Sequence, residues 1–309
     1  MSALGLRTAL LMTVPPLMWA GNAVVGRLMV GHMPPLALNF ARWVLAALLL
    51  APLGWHALRE WRTLAASWPY LLATGCLGVG AYNALQYMAL TTTTPLNVTL
   101  IAASTPVWML AVGAIGFDQR PTANQLAGAA LSLAGVALVV SRGSWATLAA
   151  VQFVAGDGYI LLAAICWALY SWLLAQPPSV LRPPSSATLE AWGWAGLLLV
   201  QTLFGLLAAG AAAAGEATLS QHAAIDGRNA WVWAALLFVA IGPSIAAYRC
   251  WGLGVARGGP ALAAFFGNLT PLFATLLSAL LLGQLPHGYH VAAFLLVVGG
   301  IAVSARTAR

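Results

Sequence analysis

The chain has 309 residues, 61% of them apolar and only 6% charged, with a mean hydropathy of +0.88. No water-soluble domain of this length can hide so much apolar surface, whereas helical spans of about 20 residues leave room for about ten. The formal charge of +7 comes entirely from arginine, since lysine is absent; between spans this apolar, it reads as an orientation signal on loops and not as a nucleic-acid surface.

Apolar runs predict spans at about 8–29, 36–56, 69–90, 95–116 and 123–141, then at 158–176, 187–210, 230–253, 260–283 and 288–305. The first run follows Arg7 in the manner of a signal peptide. However, it reaches Met29, contains Pro15-Pro16 and carries Trp19-Ala20, which returns as Trp167-Ala168, so it is read as a retained span. Loops are marked by Arg59-Glu60-Trp61-Arg62, by Thr91 to Thr94, by Asp118 to Pro121 and by Gln176-Pro-Pro-Ser, with a longer outer loop at 211–229. Trp55, Trp68, Tyr70, Trp145, Trp231 and Trp233 cluster at span ends, as membrane-interface belts do. Cys76, Cys166 and Cys250 each lie alone within a span and form neither a disulfide framework nor a metal cluster, so no metal or cofactor is expected.

The stretch from Pro95 to Pro106 returns as Pro260 to Pro271, 165 positions later. The match continues ungapped, with Thr105 on Thr270, Gln119 on Gln284, Pro121 on Pro286 and Gly135 on Gly300. The chain is therefore a duplication: one repeat at 1–142, a linker at 143–157 and a second repeat at 158–309. Pro95 and Pro260 suit the first turn of a helix, where the missing N–H is not needed. Pro106 and Pro271 lie about 16 Å farther along, near the middle of a hydrocarbon core of about 30 Å. Each cannot donate to the carbonyl four residues back, that of Ala102 or Gly267, which predicts two kinks with freed acceptors at the midplane. The plainer reading is that the kinks only shape packing.

With the N-terminus inside, Arg7, Arg59, Arg62, Arg120, Arg182, Arg257, Arg306 and Arg309 are cytoplasmic, while Arg27, Arg142 and Arg228 are outside. That asymmetry predicts both termini in the cytoplasm. Five spans per repeat is an odd number, so the second half enters the membrane from the opposite face. The expected fold is all-α and integral to the membrane, with ten transmembrane helices arranged as two inverted five-helix repeats around a central cavity.

These features resemble the drug/metabolite transporter superfamily, specifically the ten-span EamA family, over nearly the whole chain. The resemblance is carried by Trp19-Ala20-Gly21-Asn22, and by Gly156-Asp157-Gly158 leading into Cys166-Trp167-Ala168-Leu169-Tyr170. It is also carried by the order of a small-residue helix with a central Pro, a Gln-x-Pro turn and a Gly-rich span ending Leu-Ala-Gly-Val-Ala-Leu-Val-Val. Within the family the chain is most similar to the YddG-type exporters of aromatic and other amino acids. The acid often found before the turn after spans four and nine is Gln119 and Gln284 here, so no functional carboxylate carries over. The resemblance implies a bacterial-type inner (plasma) membrane location and a cavity lined by spans one, three, four, six, eight and nine.

The residues expected to bind substrate are Trp19, Asn22, Tyr82, Asn83, Gln86, Ala102, Ser104, Trp167, Tyr170, Ser244, Tyr248, Gly267 and Asn268. Tyr82 and Gln86 stand one turn apart on one helix face, and polar side chains within lipid must face the bundle or a wet cavity. The competing reading is helix–helix contact through polar groups, with aromatics facing lipid. His287 and His290 have no nearby carboxylate or thiol in sequence, and no nucleophile–base pair can be drawn, so an enzyme is not expected.

Substrate class is narrowed by absence. Phosphate carriers want cations deep in the cavity, whereas Arg42 and Arg249 are expected within about 10 Å of a span end, close enough to snorkel. The acid placed inside a span is Glu190, expected to pair with Arg249 as an inner gate. What remains suits an amino acid or similar neutral metabolite, exported by alternating access; the alternative is a passive channel or a lipid-translocating protein. The expected partners are that small molecule and the bilayer, and the sequence assigns no oligomeric state.

Overall fold

The computed structural model describes residues 5–93, 95–181, 187–219, 229–282 and 287–306; within them the chain forms helices and no strand. The first half comprises α1 (Leu6–Leu28), α2 (Pro35–Gly54), α3 (Trp61–Thr92), α4 in two pieces (Pro95–Ala102 and Thr105–Gly116) and α5 (Ala123–Val140). After a short helix at Trp145–Ala149 come α6 (Ala155–Ala175) and α7 (Ala187–Leu219). A helical run of 38 residues, Ala230–Gly267, follows; at 1.5 Å per residue it is about 57 Å long, too much for one crossing. Gly259, at φ 81°, divides it into α8 (230–258) and the first piece of α9 (260–267). The second piece of α9 is Thr270–Leu282, and α10 is Gly288–Ala305. Among the described residues nine helical segments are long and apolar enough to cross a bilayer.

The duplication is visible in the local geometry. The α4 break at 103–104 and the α9 break at 268–269 stand at corresponding positions, as do the starts and ends of α5 and α10. Two π-helical turns that the sequence had read as plain helix obey the same correspondence, Gly75–Ala81 in α3 and Ala240–Ala246 in α8. Three glycines loosen the first. In the second, Pro243 cannot donate to the carbonyl four residues back, so the ladder shifts to the residue five on, and the Ser244 hydroxyl also donates to the Val239 carbonyl at 2.7 Å.

The equivalent helices α5 and α10 pack antiparallel and close. A Cβ on Gly128 of α5 would lie 2.6 Å from the Gly300 carbonyl oxygen of α10, while one on Gly135 would lie 2.9 Å from that of Ala293. As one helix advances the other retreats, and backbone-to-backbone contact of this kind is how helices associate in lipid without a hydrophobic drive. Large apolar side chains such as Ile115, Leu207 and Leu295 are exposed on outward faces, which a hydrocarbon environment accommodates.

Two expected loops are shorter than the sequence implied. Helix α7 continues to Leu219, and Glu216 within it accepts from the backbone amides of Leu36 and Ala37 at 3.2 and 2.8 Å, capping α2 where its own N-cap, Pro34, cannot. Helix α6 begins at Ala155, so Asp157 falls in its first turn. Buried there, it accepts from the Thr93 hydroxyl, from Asn97 Nδ2 at 2.7 Å and from the Val154 amide at 2.9 Å. It ties α6 to the junction of α3 and α4, so Glu190 is not the sole acid within a span.

Candidate functional site

A cavity of about 420 Å³ opens among α1, α3, α4, α6, α8 and α9. The local fold explains its lining. On α3, Tyr82 and Gln86 are one turn apart and both face it, while the breaks in α4 and α9 bring Ala102, Gly267 and Asn268 to its wall. Trp19 and Trp167 complete the expected members present, with Pro271 of the α9 kink beside them. Trp251 of span eight, which the sequence sets beside Ser244 and Tyr248, is here too; its Nε1 donates to Ser171 Oγ at 3.0 Å, and Ser171 Oγ in turn donates to the Trp167 carbonyl.

Trp167 is the hub of an aromatic cluster. Its ring centroid lies 4.5 Å from Tyr82, 5.0 Å from Tyr170, 5.1 Å from Trp251 and 5.2 Å from Trp19 and from Tyr248. Beyond this septum a second cavity, of about 460 Å³, is lined by Tyr70, Tyr170, Gln201, Tyr248 and Arg249 among others. Along α3 the first cavity is reached by Tyr82 to Leu90 and the second by Tyr70, so the two open toward opposite ends of the bundle.

The kink carbonyls are not bare. Thr105 Oγ1 donates to the Ala102 carbonyl at 2.6 Å, and Thr270 Oγ1 donates to that of Gly267 at 2.7 Å. A carbonyl oxygen has two lone pairs, so each keeps one. The sequence held the signal, since Thr105 and Thr270 correspond in the repeat. Ser104 does not line the cavity: its Oγ donates to the Ile101 carbonyl at 2.5 Å and accepts from Trp108 Nε1 at 3.1 Å. Pro106 is buried in the helix, away from the lining.

Asn22, Asn83 and Ser244 also lie off the cavity, because they hold a cation. Arg42 does not snorkel. It is wholly buried, with Nε and Nη2 donating to Ser244 Oγ at 2.9 and 2.7 Å. Nη1 lies 3.2 Å from Asn22 Oδ1, 3.0 Å from Asn83 Oδ1 and 2.7 Å from Tyr87 Oη. Asn83 Nδ2 donates to Tyr248 Oη at 3.1 Å, and Tyr248 donates onward to the Gly78 carbonyl in the π turn. The expectation that Arg42 snorkels is therefore overturned, and with it the premise, a bundle without a deep cation, of the argument against phosphate carriers. Arg249 is exposed, with its guanidinium 4.4 Å above the Trp194 ring. The side chain of Glu190, its expected partner, lies outside the described residues.

No group of three or more His, Cys, Asp or Glu able to hold a metal occurs among the described residues. The chain is 24% identical, over 90% of each chain, to a protein of Ancylobacter novellus described as "Aromatic amino acid exporter YddG". It is 26% identical to an "Uncharacterized transporter" of Archaeoglobus fulgidus over 96% of each chain. One solved structure, 22% identical and covering 96% of each chain, superposes with a TM-score of 0.72, which fixes the fold alone. The EamA-like transporter family matches once over residues 6–141 and again over 154–306, so both halves of the cavity come from segments of the same kind, and the chain belongs to that family.

Proposed function

We propose that this membrane transporter exports amino acids, aromatic and other neutral ones, by alternating access of two inverted five-helix repeats, with both termini cytoplasmic. The observation that carries the reading is the septum: two cavities of similar size approach from opposite ends of the bundle and are parted by packed aromatics, Trp167 on the wall of the first and Tyr170 and Tyr248 on that of the second. A site that meets one side or the other by rocking of two halves needs such a layer, and the antiparallel packing of α5 on α10 supports the inverted relation.

The cavity suits the substrate class. Its volume falls within the range of about 300–1,000 Å³ of small-molecule sites, and its wall is mostly aromatic and aliphatic. Trp19 Nε1, on the α1 wall, is buried without a hydrogen-bond partner and would take a carboxylate after a small side-chain rotation, while the likewise unpartnered Nδ2 of Asn268, at the α9 break, is a second donor for the substrate's polar atoms. The spare lone pairs of Ala102 and Gly267 would take the ammonium, and Trp167 and Trp251 the side chain. The relative from Ancylobacter novellus, described as an aromatic amino acid exporter, agrees with this assignment.

Reconstituted protein should carry phenylalanine saturably, with counterflow. Trp167→Ala should raise the apparent KM for phenylalanine by roughly threefold to tenfold, the worth of one lost aromatic pair, and affect alanine less. Asn268→Ala should raise KM for both. Linear flux without counterflow would replace the carrier with a channel, and normal KM values in both variants would move the site elsewhere.

A further inference from the structure

Arg42 is held by five hydrogen bonds, all to uncharged groups on α1, α3 and α8. Neutral dipoles solvate a guanidinium but do not cancel it, so a net unit charge remains in the low-dielectric interior. Such a charge is costly in a membrane and is characteristically functional. Its position relative to the cavity follows from helix periodicity. Asn83 and Tyr87 grip the guanidinium, while their chain neighbours Tyr82 and Gln86 face the cavity; Asn22 grips it, while Ala23 lines the wall. Arg42 therefore stands one residue layer behind the α1–α3 side. The kink carbonyls of Ala102 and Gly267, partial negative charges, stand on the α4–α9 side.

We propose that Arg42 sets the charge selectivity of this cavity: it draws a carboxylate toward the α1–α3 wall and disfavours ligands whose only charge is an ammonium. This rests on the cavity being the substrate site, as proposed above, and makes aromatic and aliphatic carboxylates, amino acids among them, the ligand class. The positive pole behind Tyr82 and the carbonyl pole at the breaks would orient a zwitterion end to end across the cavity. No lysine could replace this arginine fully, because its single ammonium cannot span acceptors on three helices at once.

The test is direct binding to purified protein in detergent, read by quenching of tryptophan fluorescence, with phenylacetate and phenethylamine as probes that share a ring and differ in charge. At an effective dielectric of about 20 and a separation of roughly 10 Å, the fixed charge shifts each probe's affinity on the order of tenfold, in opposite senses. The two shifts multiply, so wild-type protein should bind phenylacetate on the order of a hundredfold more tightly than phenethylamine. Arg27, an exposed residue of the cavity wall, is the competing cation; about 0.5 M salt screens it but not a buried charge, so the preference should persist there. Arg42→Gln should bring the ratio near one, and Arg42→Lys should keep most of it. Equal affinities in wild type, or a wild-type ratio in Arg42→Gln, would overturn the proposal. If Arg42→Gln does not fold, the wild-type ratio and its persistence in Arg42→Lys decide. Binding of neither probe would overturn the cavity reading and this proposal together, whereas a strong phenylacetate preference without amino acid transport would sustain this proposal and remove only the transport substrate.

Discussion

The hydroxyl at each mid-membrane break makes a quantitative claim. Thr270→Val preserves the shape of the side chain and removes the donor that sits 2.7 Å from the Gly267 carbonyl. Side-chain hydrogen bonds between membrane helices average about 0.6 kcal/mol and reach about 1.7. Leaving the acceptor unpaired adds to that, although water entering the adjoining cavity offsets part of it. A loss of about 1–2 kcal/mol is therefore expected. In Pro271→Ala protein the backbone N–H at 271 is in register for the same carbonyl, four residues back, and the hydroxyl becomes redundant. There Thr270→Val should cost less than about 0.5 kcal/mol, a coupling of about 1 kcal/mol. Denaturation by sodium dodecyl sulfate of the four proteins, followed by tryptophan fluorescence, measures the cycle. An equal cost in both backgrounds, or none in the wild type, would show that the carbonyl finds its partner elsewhere.

Two further predictions follow from packing and orientation. Gly128→Ala places a methyl where the Gly300 carbonyl already stands at 2.6 Å, so α5 and α10 must separate, at a cost of about 1–3 kcal/mol in the same denaturation assay; an unchanged midpoint would mean that the contact is looser than drawn. In a variant whose three native cysteines are replaced by serine, a cysteine at the exposed Ser144 should react with an impermeant maleimide in intact cells and one at the exposed Glu60 should not; the reverse would invert the proposed topology.

The sequence carried the architecture because its strongest signals are local or periodic. Apolar length set the spans, and the recurrence of Pro95 and Pro106 as Pro260 and Pro271 located both breaks. The helical period put Tyr82 and Gln86 on one face, which does line the cavity. The same period placed Asn22, Asn83 and Ser244 inward, and inward they are, but around Arg42 and not at the cavity. Pattern distinguishes inside from outside; it does not distinguish a cavity wall from the shell of a buried charge. Arg42 was misjudged for a related reason. Its distance from the end of α2 permits snorkelling, and what holds it inside are acceptors 20, 41, 45 and 202 positions away, none of which its own span reveals. The π turns were equally hidden, since glycines or a proline in an apolar run mark a weak point without saying how the backbone will relax.

One rule joins the two prolines of the repeat that break their helices, and Pro243 shows a variant of it. Pro106 and Pro271 each orphan the carbonyl four residues back, and an adjacent hydroxyl, on Thr105 or Thr270, returns a donor to it; at Pro243 the π turn shifts the Val239 carbonyl to the residue five on, Ser244, whose hydroxyl also donates to it. In lipid an orphaned carbonyl costs several kcal/mol, so the returned donor offsets much of what each proline takes away. The repair leaves different remainders. At Ser244 the hydroxyl oxygen, having donated, still accepts from Arg42, so the loosened α8 becomes part of the cation's shell. At Thr105 and Thr270 the oxygen left over belongs to a cavity-lining carbonyl. On the cavity wall, which holds no acidic side chain among the described residues, the negative poles are thus backbone carbonyls that a proline has left without their helical donor.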